Sequence, residues 1–260
     1  MVLARDSWAE ISAELDRWGA KKQTALFWWR DDDATDVNAK LKAMLAVAEN
    51  FATPVALSAI PAKATARLAS LVAKSNVAEV LVHGLRHENH AAADRTKREL
   101  GGDTPLDSVL LDAATGLRLA RARFGARCLP VLVPPWNRIT ARAVPHLSKL
   151  GFRGLSTWKP RPAKFPAPGL LQINAHLDLI DWRHGRTLKS EREVAGLLLR
   201  KLRWRRTQLS RREEPLGLLT HHAYWSTSKE RLLAGLLSTL VAHPAVRFVR
   251  ASDAFELKAR

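Results

Sequence analysis

Polar and apolar positions follow a pattern that repeats along most of the chain. Trp8, Ile11, Leu15 and Trp18 fall at spacings of three, four and three, one apolar stripe that predicts a helix over 7–18. TALFWW (24–29) is a short apolar run and reads as a buried strand. Helical patterns follow at 37–51, 62–75, 105–125, 138–151, 190–204 and 228–243. Ser190 is placed to cap the fifth of these, with Glu193 three residues on as a capping box, and Gly151 stops the fourth. Strand patterns fall between them at 53–61, 77–84, 129–136, 152–158, 215–225 and 245–254, with one or two more in 168–182.

Strands alternating with helices of 12 to 20 residues imply parallel βα units. Seven or eight units without a GxGxxG turn favour a closed barrel over an open dinucleotide-binding sheet. KPRPAKFPAPG (159–169) carries four prolines, yet the alternation resumes after it. It is therefore expected to be an ordered excursion or lid, and residues 1–260 to form a single domain.

Composition narrows the function. There are 42 Lys and Arg against 25 Asp and Glu, a net charge of +17. The densest basic stretch, RKLRWRRTQLSRR (200–212), reads as the solvated face of an amphipathic helix with Leu202, Leu209 and Trp204 as its inward candidates. No zinc-finger, bZIP or RNA-recognition signature accompanies it, so no nucleic-acid partner is expected. A lone cysteine, Cys128, excludes an intrachain disulfide framework and a thiolate metal cage. Neither a secretory h-region nor an 18-residue apolar stretch is present, so a cytoplasmic protein without a membrane span is expected.

In parallel barrels chemistry gathers beyond the C-terminal ends of the strands. The segments in those places are RDDDA (30–34), HGLRHENH (83–90), PPWNR (134–138), DLIDW (178–182) and THHA (220–223). Three adjacent carboxylates repel one another unless something compensates, and a bound cation would do so. His83 and His87 are four apart, and on a helical turn they would share a face toward one metal, with His90 nearby. Two imidazoles and a carboxylate leave coordination positions open, the pattern of a hydrolytic metal site.

The order of these segments, over roughly residues 24 to 225, resembles the polysaccharide deacetylase family, carbohydrate esterase family 4. The resemblance implies an irregular (β/α) barrel with about seven parallel strands. It implies a divalent metal, zinc first, with cobalt, nickel or iron also suited. The implied reaction is metal-dependent hydrolysis of an N- or O-acetyl group on a carbohydrate-like substrate, and the partner an acetylated sugar. With RDDDA laid over the family's T-F-D-D-G, Asp32 becomes the general base and Asp33 a metal ligand, and Asp31 takes an aromatic position. A shift by one, with Asp31 as base and Asp32 as ligand, is the alternative.

His83 and His87 become the remaining ligands, with Gly84 where the family carries a hydroxyl. Pro134 and Pro135 match the family's R-P-P, but Val133 stands for the arginine that holds the base. Arg30 and Arg138 are the candidates to replace that cation. Trp136 and Asn137 are expected at the substrate site. Asp181 and Trp182 are preferred for the fourth motif, with Asp178 the alternative and His176 a further candidate. Leu219-Thr220-His221 makes His221 the general acid, and His222 takes the role if the register slips. A silent barrel that binds carbohydrate or metal is the competing reading, followed by a basic nucleic-acid binder.

Overall fold

The first strand sets the frame of the molecule. The computed structural model describes residues 7–93, 95–208 and 213–257. In it β1 (Ala25–Ala34) continues past the apolar run and through all three aspartates. The first two keep their backbones in the ladder, Asp31 beside Thr220 on one edge and Asp31 and Asp32 beside Leu57 and Ser58 on the other, and the register shifts at the third. Buried main-chain groups need such partners whatever side chains they carry.

The chain opens with α1 (Ser7–Ala20), which buries Ile11, Leu15 and Trp18. After β1 come α2 (Ala39–Asn50), β2 (Val55–Ala59), α3 (Ala66–Lys74), β3 (Ala78–Val82), α4 (Leu106–Phe124) and β4 (Cys128–Leu132). Short strands follow: β5 (Gly154–Leu155), β6 (Leu171–Gln172), β7 (Leu177–Asp178) and the antiparallel pair β8 (Ile180–Asp181) and β9 (Thr187–Leu188). The chain then forms α5 (Glu191–Thr207), β10 (Leu216–Thr220), α6 (Thr227–Val241), β11 (Val246–Phe248) and α7 (Ala251–Ala254). Asn38, Thr65, Ser190 and Ser226 cap the helices that follow them, and the Ser190–Glu193 capping box is formed.

Nine strands make one parallel sheet in the order β6-β5-β4-β3-β2-β1-β10-β7, with β11 beside the start of β1. The sheet curls until one run of chain serves both ends. Residues 171–175 bond to 153–159, and the same run continues into His176 and β7, which pair with β10. The result is an irregular (β/α) barrel.

Side chains on β1 alternate between two cores. Trp28 joins the small interior cluster with Ala56, Leu81, Val131, Val133 and Ile173, sealed at one end by Phe255, whose ring meets Trp28 edge-on at 5.7 Å. Phe27 and Trp29 join the larger core between sheet and helices. Arg30 and Asp32 thus share the interior face with Trp28, and Asp31 lies on the helix side.

Three sequence expectations are corrected. Residues 138–151 form no α-helix: successive i→i−3 bonds, such as His146 N–H to Ala143 and Gly151 N–H to Ser148, make a chain of tight turns around Val144–His146. Pro145 explains this, since it lacks an N–H and its ring blocks the preceding turn. The segment holding His83 and His87 is a bent loop and not a helical turn. Trp204 on α5 is 40% exposed, while Leu202 and Arg205 are buried. Residues 209–212 of the basic stretch, Leu209 included, lie outside the described residues. The proline-rich segment packs rather than hangs free, with Arg161 buried and donating to the Gln172 carbonyl at 2.7 Å. Among the described residues no helix is long and apolar enough to cross a membrane.

Candidate active site

The three aspartates are tolerated together because their side chains part in three directions. Asp31, fully buried on the helix side, accepts the Thr220 hydroxyl at 2.6 Å and lies 2.6 Å from Nδ1 of His222. Asp32 points inward to Arg30, which grips it from the same strand: Nε to Oδ1 at 2.9 Å and Nη2 to Oδ2 at 3.0 Å. Asp33 sits where the β1–β2 register shifts, with φ at +74°. That bulge re-aims its carboxylate toward the loop after β3.

There Asp33 Oδ1 lies 3.2 Å from Nε2 of His83 and 3.2 Å from Nε2 of His87. One donor atom from each residue falls within 4.8 Å of the others, the only such cluster of three among the described residues. Nδ1 of His83 is 2.9 Å from the Val133 carbonyl. A proton on Nδ1 donates to that oxygen and leaves the Nε2 lone pair facing Asp33, the tautomer a metal ligand requires. The residue that replaces the expected arginine therefore orients a histidine through its backbone. Two imidazole nitrogens and one carboxylate oxygen fit zinc or cobalt.

The histidine loop has a support that the sequence reading missed. Glu99, 1% exposed, accepts the backbone N–H groups of Leu85 at 3.1 Å, Arg86 at 2.6 Å and His87 at 2.9 Å. Gly84 is required here: its φ is +59°, and a Cβ would stand 2.0 Å from the Glu99 carboxylate and 2.7 Å from Pro135. Pro135 thus wedges the loop, and Pro134 carries the chain from β4 into the turn. His90 braces the same loop, its Nδ1 3.0 Å from the Glu99 carbonyl.

Arg30 is fully buried and also donates to Ser156 Oγ at 2.7 Å, Asn137 Oδ1 at 2.6 Å and the Thr157 carbonyl at 3.3 Å. Arg30, not Arg138, supplies the cation beside the aspartates; Arg138 donates to the Lys97 carbonyl on the surface. Asn137 is held against Arg30, with φ at +59°, and Trp136 stands beside it at φ +54°. The Trp136 ring lies 4.4 Å from that of His87, tilted at 55° to it.

Across the mouth His221 is buried, and its ring meets Trp182 edge-on at 4.8 Å. Trp182 is 44% exposed and meets Tyr224 at 5.5 Å, a second aromatic wall. Asp178 accepts the Trp182 indole N–H at 2.6 Å, whereas Asp181 caps its own turn, bonding the N–H groups of Arg183 and His184 and the His184 ring. Sequence reasoning preferred Asp181 because it adjoins Trp182; the two-residue hairpin strand turns it outward. His222 faces Asp31 on the helix side, so His221 is the histidine that reaches the mouth. His176 does not approach it and bonds Gly217, Arg205 and Glu214 deeper in the barrel wall.

Charges in the mouth are mutually arranged. Burial opposes ionisation of Asp32, but Arg30, His83 and His221 outweigh it and hold the carboxyl below the usual carboxylate range. Asp33 is shifted the same way, its burial overcome by the His83 hydrogen bond and the surrounding imidazoles. Burial drives His87 down, with the neighbouring His83 adding to it.

No protein-family model matches this sequence, and no curated protein matches it. Solved structures do. A Mycobacterium smegmatis protein described as a polysaccharide deacetylase aligns with a TM-score of 0.64 at 14% identity, covering 90% of each chain. A family 4 acetyl xylan esterase from Clostridium thermocellum, in complex with a cobalt ion, aligns with a TM-score of 0.56 at 12% identity, over 89% of this chain and 91% of that one. A mutant of a family 4 pseudoenzyme with restored activity aligns with a TM-score of 0.56 at 15% identity, over 90% of this chain and 68% of that one. The likeness lies in the fold.

Proposed function

We propose that this protein, which has the fold of the polysaccharide deacetylases, is a metal-dependent hydrolase that removes an acetyl group from an amino sugar or sugar ester. One observation carries the reading. A His-His-Asp triad, Asp33 with His83 and His87, opens between an arginine-paired aspartate and a mouth-facing histidine. A divalent cation on the triad, zinc or cobalt first, would polarise the acetyl carbonyl and acidify a water.

The chain's own groups do the rest. Asp32 accepts the proton of the attacking water, ready for it because Arg30 keeps the carboxyl ionised through the neutral range. Arg30 also fixes the carboxylate's orientation, since it is itself anchored on Ser156, Thr157 and Asn137. His221 protonates the departing nitrogen or oxygen. Trp182, Tyr224 and Trp136 offer aromatic faces that suit a pyranose ring and exclude water. The competing binding-only reading rests on Val133 in place of the arginine; the Arg30–Asp32 pair weighs against it.

Metal content of the purified protein is the test. Wild type is expected to hold about one zinc or cobalt per chain after dialysis against the metal, and Asp33→Ala or the double variant His83→Ala/His87→Ala to hold none. The metal-loaded wild type is then expected to release acetate from acetylated amino-sugar oligomers. Failure of the wild type to retain metal would sink the hydrolase mechanism.

A further inference from the structure

Behind the mouth, on the helix side of β1, lies a buried charged cluster that the reaction above does not use. Asp31 and His222 form its core, 2.6 Å apart and 0% and 3% exposed. Lys229, in the first turn of α6, is 1% exposed, and its Nζ donates to the backbone carbonyl of His221 at 2.8 Å. The ammonium also lies 6.0 Å from the Trp225 ring centroid and within the fields of Asp31 and Asp178. Lysine is almost never fully buried without partners. Here the hydrogen-bond partner of the ammonium is the carbonyl of residue 221.

The consequence falls on His221. Its ring Nδ1 is buried and makes no hydrogen bond, so that side of the imidazole is held by no partner of its own. The chain just after the ring is held instead: the carbonyl of residue 221 by Lys229, and the side chain of residue 222 by Asp31. Those two anchors come from different elements, α6 and β1. They set where the His221 backbone stands, and its ring meets Trp182 edge-on at the mouth.

We propose that Lys229 is a positioning residue for His221, acting through the 221 carbonyl, with the Asp31–His222 pair as its second anchor. The inference rests on His221 being the acid of the proposed reaction, and its test separates the two. Lys229→Met keeps the tail and removes the donor; Lys229→Arg restores a donor. Histidine-labelled protein, with His221 assigned through His221→Gln, gives the ring nitrogen resonances by NMR. In Lys229→Met those of His221 are expected to move while those of His83 and His87 hold, and Lys229→Arg to bring them back.

Kinetics add a readout that general loosening would not give. An amide leaving group needs protonation, whereas 4-nitrophenolate departs without it. Lys229→Met is therefore expected to lower deacetylation of N-acetylglucosamine oligomers about ten- to a hundredfold, and 4-nitrophenyl acetate hydrolysis far less. His221 resonances unmoved in a folded Lys229→Met protein would overturn the proposal, as would equal losses on both substrates. If Lys229→Met does not fold, His222→Gln, which removes the second anchor, is held to the same two readouts. A wild type that hydrolyses neither probe refutes the proposed reaction, while the resonances still decide the positioning.

Discussion

In the proposed reaction Arg30 is the group that lets Asp32 serve as base. A buried carboxylate without a counter-charge takes up a proton rather than stay ionised. Here the guanidinium sits two residues before Asp32 on the same strand face, so strand geometry alone delivers it. Arg30→Met leaves Asp32 buried and unpaired. Its carboxyl should then titrate higher, and the acid limb of the kcat/KM profile should move toward neutral pH. Breaking one side of a buried pair costs about 3–5 kcal/mol. Urea unfolding should show that loss for Arg30→Met and a smaller one for Arg30→Met/Asp32→Asn, which removes both charges. An acid limb that stays where it is in the wild type would show that Arg30 is not what keeps Asp32 ionised.

At the scale of elements, the histidine loop is the part most exposed to a single change. Glu99 satisfies three backbone donors at once, so Glu99→Ala leaves all three without their acceptor in a partly buried turn. A loss of roughly 3 kcal/mol is expected. Zinc affinity measured by titration calorimetry should fall about ten- to a hundredfold, the usual cost of losing an outer-shell support. Gly84→Ala should act in the same direction, since its Cβ meets the same carboxylate. The His-x-x-x-His pair, the Pro-Pro turn and the βα alternation were legible in the sequence because each is local and regular. Glu99 was not, because a loop returns it to the site from 12 to 14 residues beyond the groups it binds. The bulge at Asp33 was hidden for a related reason: it is a register shift between β1 and β2, which shows only when the two strands are paired. Pro145, by contrast, is a local signal against a helix over 138–151.

Over the whole molecule, the barrel depends on the run 171–178 that serves both ends of the sheet, and one residue in it gives the closure a pH dependence. His176 is 3% exposed; its Nδ1 accepts the Gly217 N–H from β10, and its Nε2 lies 3.0 Å from Nη2 of Arg205 and 3.4 Å from the Glu214 carboxylate. Burial is the main cause that pulls its pKa from the ordinary 6.5 down to about 4, with Arg205 and Lys201 adding repulsion and Glu214 opposing them. The folded state therefore refuses a proton that the unfolded chain accepts below about pH 6.5. Stability from this group is fully present above that pH and is lost as the pH falls toward 4. By pH 5 the loss should be roughly 2 kcal/mol, since each unit below the unfolded value is worth about 1.4 kcal/mol. Urea midpoints of wild type and His176→Gln at pH 7 and pH 5 isolate the term, because the other histidines are common to both proteins. Wild type should lose more stability than the variant between the two pH values. Parallel losses would mean that His176 stays as readily protonated in the fold as out of it, and that the seam is not where acid opens the barrel.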